Sequence, residues 1–150
     1  MKKKKALITG ISGQDGAYLT KLLLSKNYDV IGTSRNLNND NLWRLKELGV
    51  HRDVKIFRQS ILNSPSIISF LSKQYPNEIY NLSASSSVSN SFKNPIQTFK
   101  ANTIYGLQIL NSIYLSKKKI KYYQASSSEM YGNVKLKGGD KTRFNPLSPY

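Results

Sequence analysis

The chain has 150 residues, the usual length of one domain with a buried core. It contains no cysteine and one histidine, which excludes disulfides and metal sites built from thiolates or several histidines. No apolar run approaches the length that spans a bilayer, so we expect a cytoplasmic protein with no membrane partner and no bound metal.

The net charge of +15 allows two interpretations. A strongly basic surface is typical of proteins that bind nucleic acid or acidic membranes. The alternative is a lysine-rich chain whose basic faces are solvated. Outside the clusters Lys2–Lys5 and Lys117–Lys119, the cations are spread along the chain. We therefore expect solvated faces and no nucleic-acid partner, although such a surface would favour an anionic nucleotide.

Strand and helix patterns alternate along the chain. Short apolar or β-branched runs predict five strands, at Ala6–Thr9, Asp29–Ser34, Val54–Phe57, Glu78–Leu82 and Lys121–Ala125. Apolar residues at helical spacing predict helices at Gly16–Lys26, at Leu42–Leu48, after Asn63-Ser64-Pro65 and after Asn94-Pro95. In the last helix we expect the buried side to carry Phe99, Ile104, Leu107, Leu110, Ile113 and Tyr114. This alternation predicts an α/β fold, a doubly wound parallel sheet of the Rossmann type with helices on both faces.

A glycine-rich turn joins the first strand to the first helix. Gly10, Gly13 and Gly16 follow the apolar run Ala6–Ile8, and an amphipathic pattern begins at once. The first turn of a helix has free backbone N–H groups and the positive end of the helix dipole. Glycines allow phosphates to approach that backbone and allow the helix to pack close to the strand. The segment predicts a site for the pyrophosphate of a dinucleotide.

Other predicted strand ends are also rich in small or polar residues. Ligands of parallel sheets bind outside the carboxyl ends of the strands. Four segments meet there: Gly10–Gly16, Ser34–Arg35, Leu82–Ser87 and Ser126–Glu129. Ordinary loop chemistry could explain any one of them, but their joint occurrence predicts a ligand site.

The end of the second strand bears on which dinucleotide is bound. An acidic residue at this point usually holds the ribose hydroxyls of NAD, whereas this strand ends in Ser34-Arg35. A guanidinium is always charged and its fork shape suits a 2′-phosphate. We therefore expect NADP; the alternative is that Arg35 is a solvated loop cation.

Several of these segments carry a resemblance to a known family. Leu7–Leu19, with Gln14-Asp15 inside the glycine turn, Glu78–Leu82, Tyr123–Gly132 and Asn145–Tyr150 resemble the GDP-mannose 4,6-dehydratases. These enzymes belong to the extended short-chain dehydrogenase/reductase superfamily, also called the NAD-dependent epimerase/dehydratase superfamily. Related nucleotide-sugar epimerases and reductases share much of the pattern, so another member of the superfamily is the alternative.

The resemblance implies a lyase reaction of GDP-sugar and deoxysugar biosynthesis, on the route to GDP-fucose. GDP-mannose is oxidised at C4, loses water across C5 and C6, and is reduced at C6, giving GDP-4-dehydro-6-deoxymannose. Matched residue by residue, Tyr150 would take the C4 hydroxyl proton and Ser127, where the family commonly has threonine, would hydrogen-bond the C4 oxygen. Glu129 would act as the base at C5. An ordinary polar turn is the alternative for Ser127 and Glu129.

The resemblance also implies a set of cofactor-binding residues. These are Gly10, Ile11, Ser12, Gly13, Gln14, Asp15, Gly16, Arg35, Ser60, Ile61, Leu82, Ser83, Ala84, Ser85, Ser86 and Tyr150. The chain departs from the family at Ser60, where an Asp usually contacts the adenine, and at Ser85 and Ser87, which replace larger polar side chains.

The tyrosine of the superfamily opens a Tyr-x-x-x-Lys motif, and Tyr150 is the last residue of this sequence. We therefore expect residues 1–150 to form an NAD(P)-binding Rossmann domain that is truncated, incomplete at its C-terminal end and without the C-terminal substrate lobe. The implied partner is GDP-mannose or a related nucleotide sugar, and the full-length family implies a homo-oligomer.

Three interpretations stay open for such a chain. It is the N-terminal portion of a longer enzyme, a degenerate product that binds NADP without catalysis, or a basic adaptor that kept the fold for nucleic acid or a protein partner. In each case we expect the 150-residue chain by itself to be inactive.

Overall fold

The computed structural model describes residues 3–58, 60, 67–133 and 141–150. Five parallel strands form one sheet in the order β3-β2-β1-β4-β5, which confirms the predicted fold class. The strands are β1 (Lys5–Thr9), β2 (Asp29–Ser34), β3 (Lys55–Arg58), β4 (Glu78–Asn81) and β5 (Lys121–Gln124).

Helices connect the strands and cover both faces. They are α1 (Gln14–Ser25), α2 (Trp43–Glu47), α3 (Ile67–Gln74), α4 (Val88–Lys93), α5 (Pro95–Phe99) and α6 (Tyr105–Ser116). Short 3₁₀ turns lie at Asn39–Asn41, His51–Asp53 and Ser128–Tyr131. The predicted helix start at Asn63-Ser64-Pro65 lies outside the described residues. No helix in the described part of the chain is both long and apolar enough to cross a bilayer.

The central strand β1 separates two cores because successive side chains of a strand point to opposite faces. Ala6 and Ile8 pack on one side with Ala17 and Leu23 of α1. Leu7 packs on the other side with residues of α3, β4 and α6. All residues from Ala6 to Thr9 are fully buried, as expected for a parallel strand covered on both faces.

The segment from Pro95 to Ser116 differs from its prediction. It is helical throughout, but a π turn at Lys100–Ile104 separates α5 from α6. Gly106, Ile109 and Ser112 are the residues of α6 that are buried. The predicted buried side was wrong for Leu107, Leu110, Phe99 and Tyr114, and Tyr114 is 81% exposed. The π turn adds a residue and shifts the helical phase. Because α6 carries apolar residues on several sides, the sequence pattern does not show which side meets the sheet.

Candidate functional site

The turn between β1 and α1 brings backbone rather than side chains to the carboxyl edge of the sheet. Gly10 has φ of 69°, and a Cβ there would lie 3.1 Å from Cα of Ser83 in the loop after β4. A Cβ on Gly16 would lie 2.8 Å from Cα of Ile11 and closer still to the Gly10 carbonyl oxygen. Gly13 precedes α1 without a side-chain cap, so the first N–H groups of α1 have no capping side chain. Only glycines permit this close turn, and it leaves an anion site at the start of α1.

A cleft of about 900 Å³ opens above this turn. It collects most of the residues that the sequence predicted for the cofactor: Gly10, Ser12, Gly13, Gln14, Asp15, Gly16, Arg35, Ser60, Leu82, Ser83, Ala84, Ser85 and Ser86. These residues come from loops that follow four different strands or precede helices, and the parallel order of the sheet places all of them at one edge. The volume is in the range of small-molecule and cofactor sites.

Ile11 and Tyr150 are described cofactor candidates that do not line this cleft. The Ile11 side chain is fully buried in the core, and a Cβ added at Gly32 of β2 would overlap it. The Ile11 backbone N–H also donates to the Thr33 carbonyl at 3.1 Å. Ile61 lies outside the described residues.

A buried polar network fixes the loop after β4. The Thr9 hydroxyl accepts hydrogen bonds from the backbone N–H groups of Leu82 and Ser83, both at 3.1 Å, and donates to Asn81 Oδ1 at 2.5 Å. The Asn81 amide then donates to Gln124 Oε1 on β5 at 2.8 Å. The network therefore couples the ends of β1, β4 and β5, and it holds in place the loop that lines the cleft.

Tyr122 completes the β5 side of that network. Its hydroxyl accepts from the Asn81 amide at 3.1 Å and donates to Gln124 Oε1 at 2.5 Å. Burial raises the pKa of Tyr122, while the hydrogen bond from Asn81 acts in the opposite direction. The phenol therefore keeps its proton at neutral pH, and this keeps it available as the donor to Gln124.

Polar side chains also meet at the other end of the cleft, beside β2. The Asn41 amide donates to Ser34 Oγ at 2.7 Å and to Ser12 Oγ at 3.1 Å. The two serine hydroxyls lie 2.8 Å apart. The Arg44 guanidinium reaches the Ser12 carbonyl at 3.5 Å and stacks on the Trp43 ring, with 4.5 Å to its centroid. These contacts tie the loop after β2 to the glycine turn.

The predicted catalytic residues lie at the same edge but outside the lining of the cleft. Ser127 precedes the 3₁₀ turn Ser128–Tyr131, and its hydroxyl accepts from the Glu129 backbone N–H at 3.1 Å. Glu129 is exposed. The turn is joined to the Tyr150 segment because the Asn145 N–H donates to the Met130 carbonyl at 2.9 Å.

Asn102 connects Tyr150 to the cleft. It lies in the π turn, and its Oδ1 accepts from the Ser85 N–H at 2.7 Å. Its amide nitrogen donates to the Ser85 carbonyl at 3.3 Å and to the Tyr150 carbonyl at 3.5 Å. Asn102 thus links the backbone of Tyr150 to the loop after β4. The geometry gives no direct contact that joins Tyr150 to Ser127 or Glu129.

The structure adds residues that sequence reasoning missed. Seven further residues line the cleft: Asn41, Arg44, Arg58, Asn90, Gln97, Ala101 and Tyr105. Arg58 was detectable in principle, because it directly follows the predicted strand Val54–Phe57 as Arg35 follows Asp29–Ser34. The others lie on helices or turns, and no motif within their own segments marks them.

The strand order 3-2-1-4-5 and the glycine turn at the end of the central strand define a dinucleotide-binding domain of the Rossmann type. The UDP-Glc/GlcNAc 4-epimerase from Campylobacter jejuni has the same fold, with a TM-score of 0.85 at 20% identity, and the match covers 98% of this chain and 44% of that one. UDP-glucose 4-epimerase from Thermotoga maritima gives a TM-score of 0.82 at 26% identity, and the match covers 97% of this chain and 46% of that one.

Sequence comparison is more specific than the fold. The family described as GDP-mannose 4,6 dehydratase matches residues 7–150, and the chain belongs to this family. GDP-mannose 4,6-dehydratase from Vibrio cholerae serotype O1 is 40% identical over the whole chain and 42% of its own length. GDP-mannose 4,6 dehydratase 1 from Arabidopsis thaliana is 37% identical over 99% of this chain and 44% of its own length. The chain spans about two-fifths of the length of the curated relatives it matches.

Proposed function

We propose that the chain is the NADP-binding part of an enzyme that converts GDP-mannose to GDP-4-dehydro-6-deoxymannose and water. The observation that carries the proposal is the cleft itself. In a chain of this family, the glycine turn, Arg35 and the loop after β4 line one cavity, and the Ser127–Glu129 turn follows the neighbouring strand.

The cleft fits a dinucleotide with an extra phosphate. The close turn at Gly10–Gly16 leaves room for a pyrophosphate beside the free N–H groups of α1. Arg35 lines the same cleft beyond β2, where a 2′-phosphate on the adenosine ribose would pair with its guanidinium. When bound, NADP would supply a reversible hydride acceptor for the sugar.

The chain's own residues would bind the sugar and move its protons. The Ser127 hydroxyl accepts from the Glu129 N–H, which leaves its own proton free to be donated to the C4 oxygen. Tyr150 would take the C4 hydroxyl proton. The C4 ketone acidifies the proton on C5, Glu129 removes that proton, and the same carboxyl group then donates it to the departing C6 hydroxyl.

We further propose that these 150 residues bind the cofactor without turning over GDP-mannose. The lysine of the superfamily's Tyr-x-x-x-Lys motif is not among them, and this cation assists the tyrosine as a base. We infer a cytoplasmic location and a homo-oligomer for the enzyme. The exposed apolar residues Leu107 and Tyr114 of α6 support the second inference.

The test is a fluorescence titration of the 150-residue chain with NADPH, together with a mass-spectrometric assay for product. We expect saturable binding and no product. Arg35→Ala should weaken NADPH binding about tenfold or more, because a charge-assisted contact to phosphate is lost. The matched control is Arg52→Ala, an exposed arginine outside the cleft. Absence of binding at millimolar NADPH would refute the cofactor assignment, and product from this chain would refute the proposal that it is inactive alone.

A further inference from the structure

The end of the cleft beside β2 and β3 carries more positive charge than one phosphate ligand requires. Arg35, Arg44 and Arg58 all line it, whereas Asp15 is the one carboxylate among the described lining residues. Arg35 and Arg58 have no ion-pair partner in the part of the chain that the structure describes. Like charges that share a cavity repel each other, so an arrangement of this kind is typical of an anion site.

Strand pairing places Arg58 beside the residues already assigned to the ribose. Arg58 ends β3, and in the parallel register it is opposite Ser34, the residue that precedes Arg35. Neighbouring strands are about 4.8 Å apart, so Arg58 lies about two strand spacings from the glycine turn of β1 and only one from the end of β2. Arg58 is therefore positioned to contact the adenosine end of a bound dinucleotide rather than its pyrophosphate.

Hydrogen bonds and ring stacking hold the side chains around these arginines in place. Asn41 donates to both Ser12 and Ser34, and the stacking of Arg44 on Trp43 restrains the third guanidinium. Arg35 and Arg58 are both exposed and both line the cleft. A phosphate monoester carries roughly −1.5 to −2 charges at pH 7 and has three terminal oxygens, enough for two bidentate guanidinium contacts.

We propose that Arg58 is a second ligand for the 2′-phosphate of NADP and, with Arg35, sets the preference for NADP over NAD. This inference rests on the proposed function, since it names a further specificity residue of the same site. A ribose with two free hydroxyls offers no charge to Arg58, so NAD leaves that guanidinium without a partner. The two residues that set the preference for NADP thus lie at the ends of two adjacent strands.

The experiment compares NADPH with NADH in fluorescence titrations of the whole chain and of Arg58→Gln. We expect Arg58→Gln to raise the Kd for NADPH about tenfold or more and to change the Kd for NADH less than twofold. Arg52→Gln should change neither. Adenosine 2′-monophosphate should compete with NADPH better than adenosine 5′-monophosphate does, and inorganic phosphate alone should compete weakly. Unchanged urea midpoints will show that the exposed substitution leaves the fold intact.

The remaining outcomes distinguish a failure of this inference from a failure of the proposed function. Equal losses for NADPH and NADH would mean that Arg58 stacks on the adenine, and that result overturns the inference. A wild-type chain that prefers NADPH while Arg58→Gln keeps the same preference also overturns it, but leaves NADP as the cofactor. A wild-type chain that binds neither dinucleotide overturns both.

Discussion

Replacing Thr9 by valine tests whether the buried network holds the loop that lines the cleft. Valine has nearly the same shape, so the substitution removes the hydroxyl without opening a cavity. The backbone N–H groups of Leu82 and Ser83 then lose their 3.1 Å acceptor, and Asn81 Oδ1 loses its 2.5 Å donor. Thr9 is fully buried, so water cannot replace the hydroxyl at its own position.

The magnitude follows from the number of groups left without partners. A buried donor without an acceptor costs about 1–3 kcal/mol. Leu82 and Ser83 are only half-buried, so each loss falls near the lower end of that range. We expect Thr9→Val to lower the free energy of unfolding by about 2–3 kcal/mol. NADPH binding should also weaken, because the loop from Leu82 to Ser86 is less well held.

The matched control is Thr20→Val in α1. Thr20 is equally buried, but its hydroxyl donates to the Gly16 carbonyl, which lies inside the helix and keeps its backbone partner. Urea unfolding of both variants, with an unchanged slope, gives the two free energies directly. The reasoning fails if Thr9→Val loses no more stability than Thr20→Val, or if it loses stability while NADPH binding is unchanged.

Three further substitutions have defined outcomes. Gly16→Ala places a methyl group against the backbone of the glycine turn, so urea unfolding should show a loss of about 1–3 kcal/mol and titration a weaker affinity for NADPH. Asn102→Leu removes both hydrogen bonds to Ser85, so NADPH binding should weaken severalfold; unchanged affinity would contradict this role. Burial and the hydrogen bond to Glu78 raise the pKa of Tyr80 to about 12, so the native state keeps a proton that the unfolded chain loses above about pH 10. Stability should therefore fall between about pH 10 and 12, and Tyr80→Phe should flatten that decline in pH-dependent unfolding; an identical decline in both proteins would exclude it.

The core of the fold could be predicted because parallel strands have a simple local pattern. Runs such as Ala6–Thr9 are apolar on both faces and end at glycine or polar residues, and the observed strands begin and end within about a residue of the predicted ones. The cleft followed from the same pattern, since residues after the strands of a parallel sheet meet at one edge. Arg35 was found in this way.

The orientation of α6 could not be predicted in the same way. Its sequence is apolar on several sides, and the π turn at Lys100–Ile104 changes the phase of the helix. The choice of Ile109 for the core and Tyr114 for solvent depends on how the whole segment packs against α3 and the sheet. A local pattern carries no information on that packing.

By itself, the sequence determined the strands, the glycine turn, the positive charge at Arg35 and the resemblance to one enzyme family, because each of these depends on residues close together in the chain. Only the tertiary structure decided that Arg58 lies beside Ser34, that Asn102 meets Ser85, and that Thr9 accepts from the loop after β4. These contacts join residues that are distant in sequence, and the register of the sheet and the crossing of helices over it bring them within hydrogen-bond or strand-spacing distance.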